Sequence, residues 1–217
     1  MSRCQARSAG GEPAISKRGQ RRRDYQALIL DAAQTEFSRF GYDGASLKNI
    51  ARRAHLPKAN VLYYFKDKQT LFGSVLKRVA AQWKDPMEGF DAADCPRATL
   101  RSYIREKLTW SRDQPEASRL LAGEILAVRP QLNTRHGLDH ALWFSGRMAV
   151  FEEWIARGAL RPIDPVLLVF TIWGATQFYA DYAAGVELLT GRNWLDGAGL
   201  ERTLDFLEES LLIHAIP

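Results

Sequence analysis

Residues 55–68, HLPKANVLYYFKDK, place three lysines, an asparagine, two tyrosines and a phenylalanine within fourteen positions. A core helix would not carry this much charge, and a solvated one would not carry this many rings. Lys58 can bind a phosphate or a guanine, and Asn60 can pair with adenine. Ala59 leaves room for close approach or touches a thymine methyl. Ser46 and Lys48 open the preceding segment and are placed to hold a nucleic-acid backbone, helped by a helix N-terminal dipole. Of Tyr63 and Tyr64, one ring is expected to pack inward while the other presents its hydroxyl to phosphate. Lys68 offers a further phosphate contact. The bland alternative is a helical hairpin with core aromatics and solvated lysines.

A second constellation lies near the C-terminus. Phe170, Trp173, Gly174, Gln177 and Asp181 follow one another at spacings of three and four, so they share one helix face. A glutamine and an acid on an apolar face need partners, which could be a neighbouring helix, another subunit or a ligand. A ligand with a flat ring and an amide-like edge suits this face: Trp173 walls the ring, and Gln177 offers one donor and one acceptor. Alternatively Trp173 is core and Gln177 bonds an adjacent helix.

Signals for catalysis are weak. His136 and His140 are four apart, but no His-Glu-x-x-His arrangement accompanies them. No Gly-x-Ser-x-Gly elbow, Walker loop or dinucleotide fingerprint occurs. Glu152-Glu153 and Glu208-Glu209 are adjacent pairs and read as solvated helix surface. Cys4 and Cys95 are the only cysteines, too few for a disulfide framework or a thiolate metal site. No cofactor is implied, and an enzyme or a ligand-carrying helical module remains the rival class.

The elements that must position these groups are helices throughout, and the fold class is all-α. Leu28, Ile29, Ala32, Ala33, Phe37 and Phe40 recur at helical spacing, and Gly41 is placed to stop that helix. Ser46 caps a second, Pro57 starts a third ending near Tyr64, and Asp67 caps a fourth. Later helices are expected over 96–114, 115–128, 138–157, 165–189 and 200–214, with breaks at Asp85-Pro86, Arg129-Pro130 and Arg161 to Pro165. Residues 1–23 read as a disordered basic arm, 24–68 as a helix-turn-helix domain and 69–217 as a second helical domain. Residues 1–68 hold 14 Lys and Arg against 6 Asp and Glu, whereas the remainder is mildly acidic. That asymmetry points to a polyanion bound at the N-terminal end. The most apolar run, 166–180, is shorter than the ~20 residues a membrane span requires, and no secretory signal is evident. A cytoplasmic protein is expected.

The segments AAQTEFSRFGYDGASLKNI and IARRAHLPKANVLYYFKDKQTLF resemble the DNA-binding domain of TetR-family repressors. Phe37, Gly41, Ser46, Ile50-Ala51, Ala54, Leu62 to Phe65, Lys68 and Leu71 carry the likeness. His55 and Pro57 stand where the family usually has glycine and serine. The segments YIREKLTWSRDQPEASRLLAGEIL and ALRPIDPVLLVFTIWGATQFYADYA further resemble pyrimidine-utilisation regulators within that family. This implies a homodimer on a palindromic double-stranded operator, with uracil or thymine as effector. Around the effector the resemblance favours Trp83, Tyr103, Trp173 and Gln177, with Lys107, Trp110 and Asp181 as second choices. A different small aromatic or nitrogenous ligand is the alternative. The long helix near Pro165 and the leucines 200, 204, 207, 211 and 212 are expected to supply the dimer face.

Overall fold

The computed structural model describes residues 17–126 and 136–217, and among them every regular element is a helix. In chain order these are α1 (Lys17–Gly44), α2 (Leu47–Arg53), α3 (Lys58–Tyr64), α4 (Lys68–Glu88) and α5 (Pro96–Asp113). They continue as α6 (Pro115–Leu126), α7 (His136–Ala156), α8 (Pro165–Asp181), α9 (Ala183–Thr190) and α10 (Ala198–Leu212).

Local chemistry explains most boundaries. Gly41 adopts φ 66°, breaking α1 at the position its sequence predicts. Ser46 accepts a hydrogen bond from the Asn49 amide at 3.1 Å, and Asp67 accepts one from Thr70 at 2.7 Å. The Thr70 amide holds the Asp67 carboxyl below the usual carboxylate range. Asp164 accepts from both Val166 and Leu167, opening α8.

Four boundaries depart from expectation. Residues 17–23 belong to α1 instead of an unstructured arm, while 1–16 lie outside the described residues. Pro57 is the cap before α3 and not its first residue, with no side-chain bond to the helix. Pro86 does not end α4, which runs two residues further. Met87 is fully buried there, and Arg147 donates to the carbonyls of Met87 and Glu88, so packing and capping override the missing proline amide. The helix from Pro165 divides at Tyr182, where ψ is 18°. The expected end of α6 at Val128 lies outside the described residues.

Two hydrophobic cores organise the chain. The first joins Ile29, Phe37, Ile50, Val61, Phe72 and Val75 with Ala117, Leu120 and Leu121 of α6. The second gathers Met87, Tyr103, Phe151, Trp154, Ile172 and Leu204. Arg97 and Arg101 of α5 both pair with Glu208 of α10, fastening one side of this second core. Leu200, Leu204, Leu207 and Leu212 are buried in it, so they close the chain on itself instead of forming the dimer face expected of them.

Phe37 lies 4.7 Å from Phe72 edge-on and stacks on Tyr42, anchoring the first core. Phe37→Ala should therefore cost about 3–5 kcal/mol in denaturant-induced unfolding, and a loss below about 1 kcal/mol would contradict this packing.

Candidate DNA interface and effector cavity

Helices α2 and α3 meet through a tight turn and pack on α1 and α4. His55 sits in that turn with φ 54°, the one non-glycine residue among those described to adopt positive φ. The backbone conformation is thus the one a glycine would take, held by Leu56 N–H bonding to Ala51 and His55 N–H to Arg52. On the face opposite the core, Lys48, Lys58, Ala59 and Tyr63 are exposed and Asn60 is half-buried at the start of α3. Tyr63 points outward at 76% exposure. Tyr64 lies inward, its ring 6.2 Å from Tyr25 of α1 and 5.1 Å from Tyr63. Lys68 is placed differently from expectation. Its ammonium donates to the Asp43 carbonyl at 3.3 Å and lies 4.7 Å over the Tyr42 ring, so it braces the end of α1.

A cavity of ≈ 250 Å³ lies between α4, α5, α6 and α8. Trp83, Lys107, Trp110, Trp173 and Gln177 line it, joined by Ser111, Ser118, Leu121, Ala122, Gly174 and Thr176. Trp83 and Trp110 pack against the first core and Trp173 against the second, so the cavity occupies the seam between them. Trp83 and Trp173 meet edge-on at 4.3 Å, giving aromatic walls of different orientation.

The polar groups are few and specifically held. Ser118 donates to the Gln177 carbonyl oxygen at 2.8 Å, and the Gln177 amide nitrogen donates to Asp181 at 2.8 Å. That fixes the amide while leaving one N–H and one lone pair uncommitted. The Trp110 Nε1 is buried with no acceptor among the described residues. Lys107, only 4% exposed, donates to the Trp83 carbonyl at 2.7 Å and sits 3.9 Å from the Trp83 ring centroid. No carboxylate pairs with it among the described residues. Burial pushes its ammonium down to about 7, partly offset by the charge of Glu106.

Tyr103 and Asp181 do not line the cavity; they support residues that do. The buried Tyr103 hydroxyl accepts from Trp173 Nε1 at 2.5 Å, and burial pushes its phenol above the ordinary range. Phe170 does not line the cavity; half exposed, its ring stacks on Phe144 and lies 5.4 Å from that of Trp173. The contribution of α6, through Ser118, Leu121 and Ala122, was not legible, because small side chains on an amphipathic helix carry no chemical signature. His136 and His140 open α7, but their side chains fall outside those described.

The profile of bacterial regulatory proteins of the tetR family matches residues 29–75, and that of the YcdC-like C-terminal region matches 76–216. The chain belongs to the TetR family. It is 38% identical over 202 residues to the HTH-type transcriptional regulator RutR of Escherichia coli strain K12, covering 92% of this chain and 95% of that one. Identity to the HTH-type transcriptional repressor NicS of Pseudomonas putida is 32% over 137 residues, or 62% and 59% of the two chains. Among solved structures, a TetR-family regulator from Marinobacter aquaeolei matches with TM-score 0.70 at 17% identity, over 91% of this chain and 99% of that one. The regulator SCO4942 of Streptomyces coelicolor matches with TM-score 0.68 at 22% identity, over 88% and 98%. The protein is a TetR-type, DNA-binding transcriptional repressor, and the helix-turn-helix is its DNA-reading unit.

Two expectations follow. His55→Gly relieves the left-handed backbone and should stabilise the protein by about 0.5–1 kcal/mol after the entropy of glycine is counted, measured by denaturant titration. Lys107 releases its proton near 7 when folded but near 10.5 when unfolded, so the unfolded state binds more protons between these values. Stability therefore rises with pH across that window, and below it the burial penalty is fully present. Lys107→Met should flatten this rise relative to the parent; parallel pH profiles would refute it.

Proposed function

We propose that this protein is a cytoplasmic, homodimeric, non-catalytic repressor whose effector is uracil or thymine and whose targets include pyrimidine-degradation genes. The seam cavity carries this reading. Its volume falls below the roughly 300–1,000 Å³ typical of drug-sized ligand sites, which suits a single small ring. Indoles wall it, and the free N–H and lone pair of Gln177 match the alternating donor and acceptor edge of a pyrimidine-dione. Trp110 Nε1 and Lys107 are further donors for its carbonyl oxygens.

Dimerisation is supported by what the chain leaves uncovered. Leu167 and Phe170 on α8, Phe206 on α10 and Ile213, the residue that caps α10, are each more than half exposed. Spacings of three and seven put each pair on one helix face, and a second copy would cover them around a two-fold axis. Two recognition helices so related read a palindrome with half-sites about 34–36 Å apart. No described helix is long and apolar enough to cross a membrane.

Calorimetric titration with uracil and then thymine tests the effector. Saturable binding of one molecule per chain is expected, weakened at least about tenfold in Gln177→Ala, which corresponds to about 1.4 kcal/mol. Absence of binding would remove the pyrimidine assignment and leave the TetR-type regulator intact. Lys58→Ala and Asn60→Ala should each abolish high-affinity operator binding while leaving that titration unchanged; loss of both together would place these residues in the fold instead of the interface.

A further inference from the structure

Helix α1 starts at Lys17, well before residue 29, where the match to the family's DNA-binding profile begins. Its opening sequence is KRGQRRRD, which contains no apolar side chain. The first turn has no acidic residue, and Arg21, Arg22 and Arg23 are exposed. No ion pair engages these three arginines among the described residues, and the nearby Asp24 accepts from Gln20 at 3.0 Å. Cations at a helix N-terminus oppose the helix dipole, so this end gains neither from packing nor from its own electrostatics. A polyanion laid alongside would supply what the chain lacks.

The fold says where that polyanion lies. Arg21 and Arg22 precede Tyr25 by about one helical turn and share its face. The Tyr25 ring meets Tyr64 of α3, beside the outward-facing Tyr63. The basic face therefore continues outward from the end of the recognition helix opposite Lys58 and Asn60. A lipid surface does not fit, since membrane-bound helices insert apolar side chains and this stretch offers none.

We propose that the first two turns of α1 form a second DNA contact, gripping phosphates that flank the half-site read by α3. The contact is electrostatic and sequence-independent, so it adds affinity and register without reading bases. It rests on the DNA-binding role of the family and is independent of the effector's identity.

The test uses full-length protein and an operator that it selects itself from a random duplex pool. The operator is prepared ending at the palindrome's edges or with one extra helical turn on each side. Combined Arg21→Gln, Arg22→Gln and Arg23→Gln should lower affinity for the extended duplex at least about tenfold at low salt. The log–log salt slope should become shallower by about 0.9 for each phosphate no longer neutralised. Affinity for the short duplex, and the helical circular dichroism of the free protein, should stay unchanged. Equal affinity and slope on the extended duplex would overturn the proposal, as would an equal drop on both lengths, which places the arginines inside the half-site or the fold. Binding to anionic vesicles with an unaltered DNA slope would also overturn it and assign the face to lipid.

Discussion

Ala117, Leu120 and Leu121 of α6 are buried in the same core as the helices that carry the DNA-reading unit. Each fully buried leucine contributes roughly 1.5–3 kcal/mol, whereas the neighbouring surface pair Arg39–Glu116 contributes at most about 1 kcal/mol. Apolar contact, not charge, thus holds the two domains together. Because Ser118, Leu121 and Ala122 of the same helix also wall the cavity, α6 touches both the reader and the seam cavity. A change in cavity shape cannot leave that helix, and hence the first core, indifferent.

Charge does its work at the ends and at a few buried places, Glu36, Lys107, Glu124 and Glu208. Surface arginines of α5 meet carboxylates of α10, while the N-terminal region keeps an excess of cations facing outward. Lys107 is the cation of this set, enclosed by indole and phenol rings and held by a main-chain carbonyl in place of an acid. Cation–π attraction and one hydrogen bond replace only part of its lost hydration, which is why its proton is weakly held.

The sequence carried the fold because capping and glycine signals act locally. Ser46, Asp67 and Gly41 each settle their helix boundary within four residues, where their types predict, and Asp164 does the same for α8. Signals that depend on distant packing misled. Pro86 reads as a break but is outweighed by buried Met87 and by Arg147 from a helix some sixty positions away. The leucines of α10 form an apolar stripe, yet periodicity cannot say whether a stripe faces its own chain or another. For the cavity, bulky or charged members stood out, whereas Ser111, Ser118 and Thr176 entered only through the packing of three helices. Lys68 shows the converse: its type suggested phosphate, and its neighbours Asp43 and Tyr42 engage it internally.

The position of Pro86 within α4 gives that helix a mechanical asymmetry. Proline deprives the Gln82 carbonyl of its usual donor, so the softened turn, from Gln82 to Pro86, contains Trp83 itself. Between Trp83 and Lys68 the helix is free of proline and spans roughly 22 Å at 1.5 Å per residue. The weakest turn of this helix therefore coincides with its contribution to the cavity wall. A displacement of the Trp83 indole thus falls on the one turn of α4 that lacks a full hydrogen-bond ladder, at the near end of the proline-free arm that leads to the DNA-reading unit.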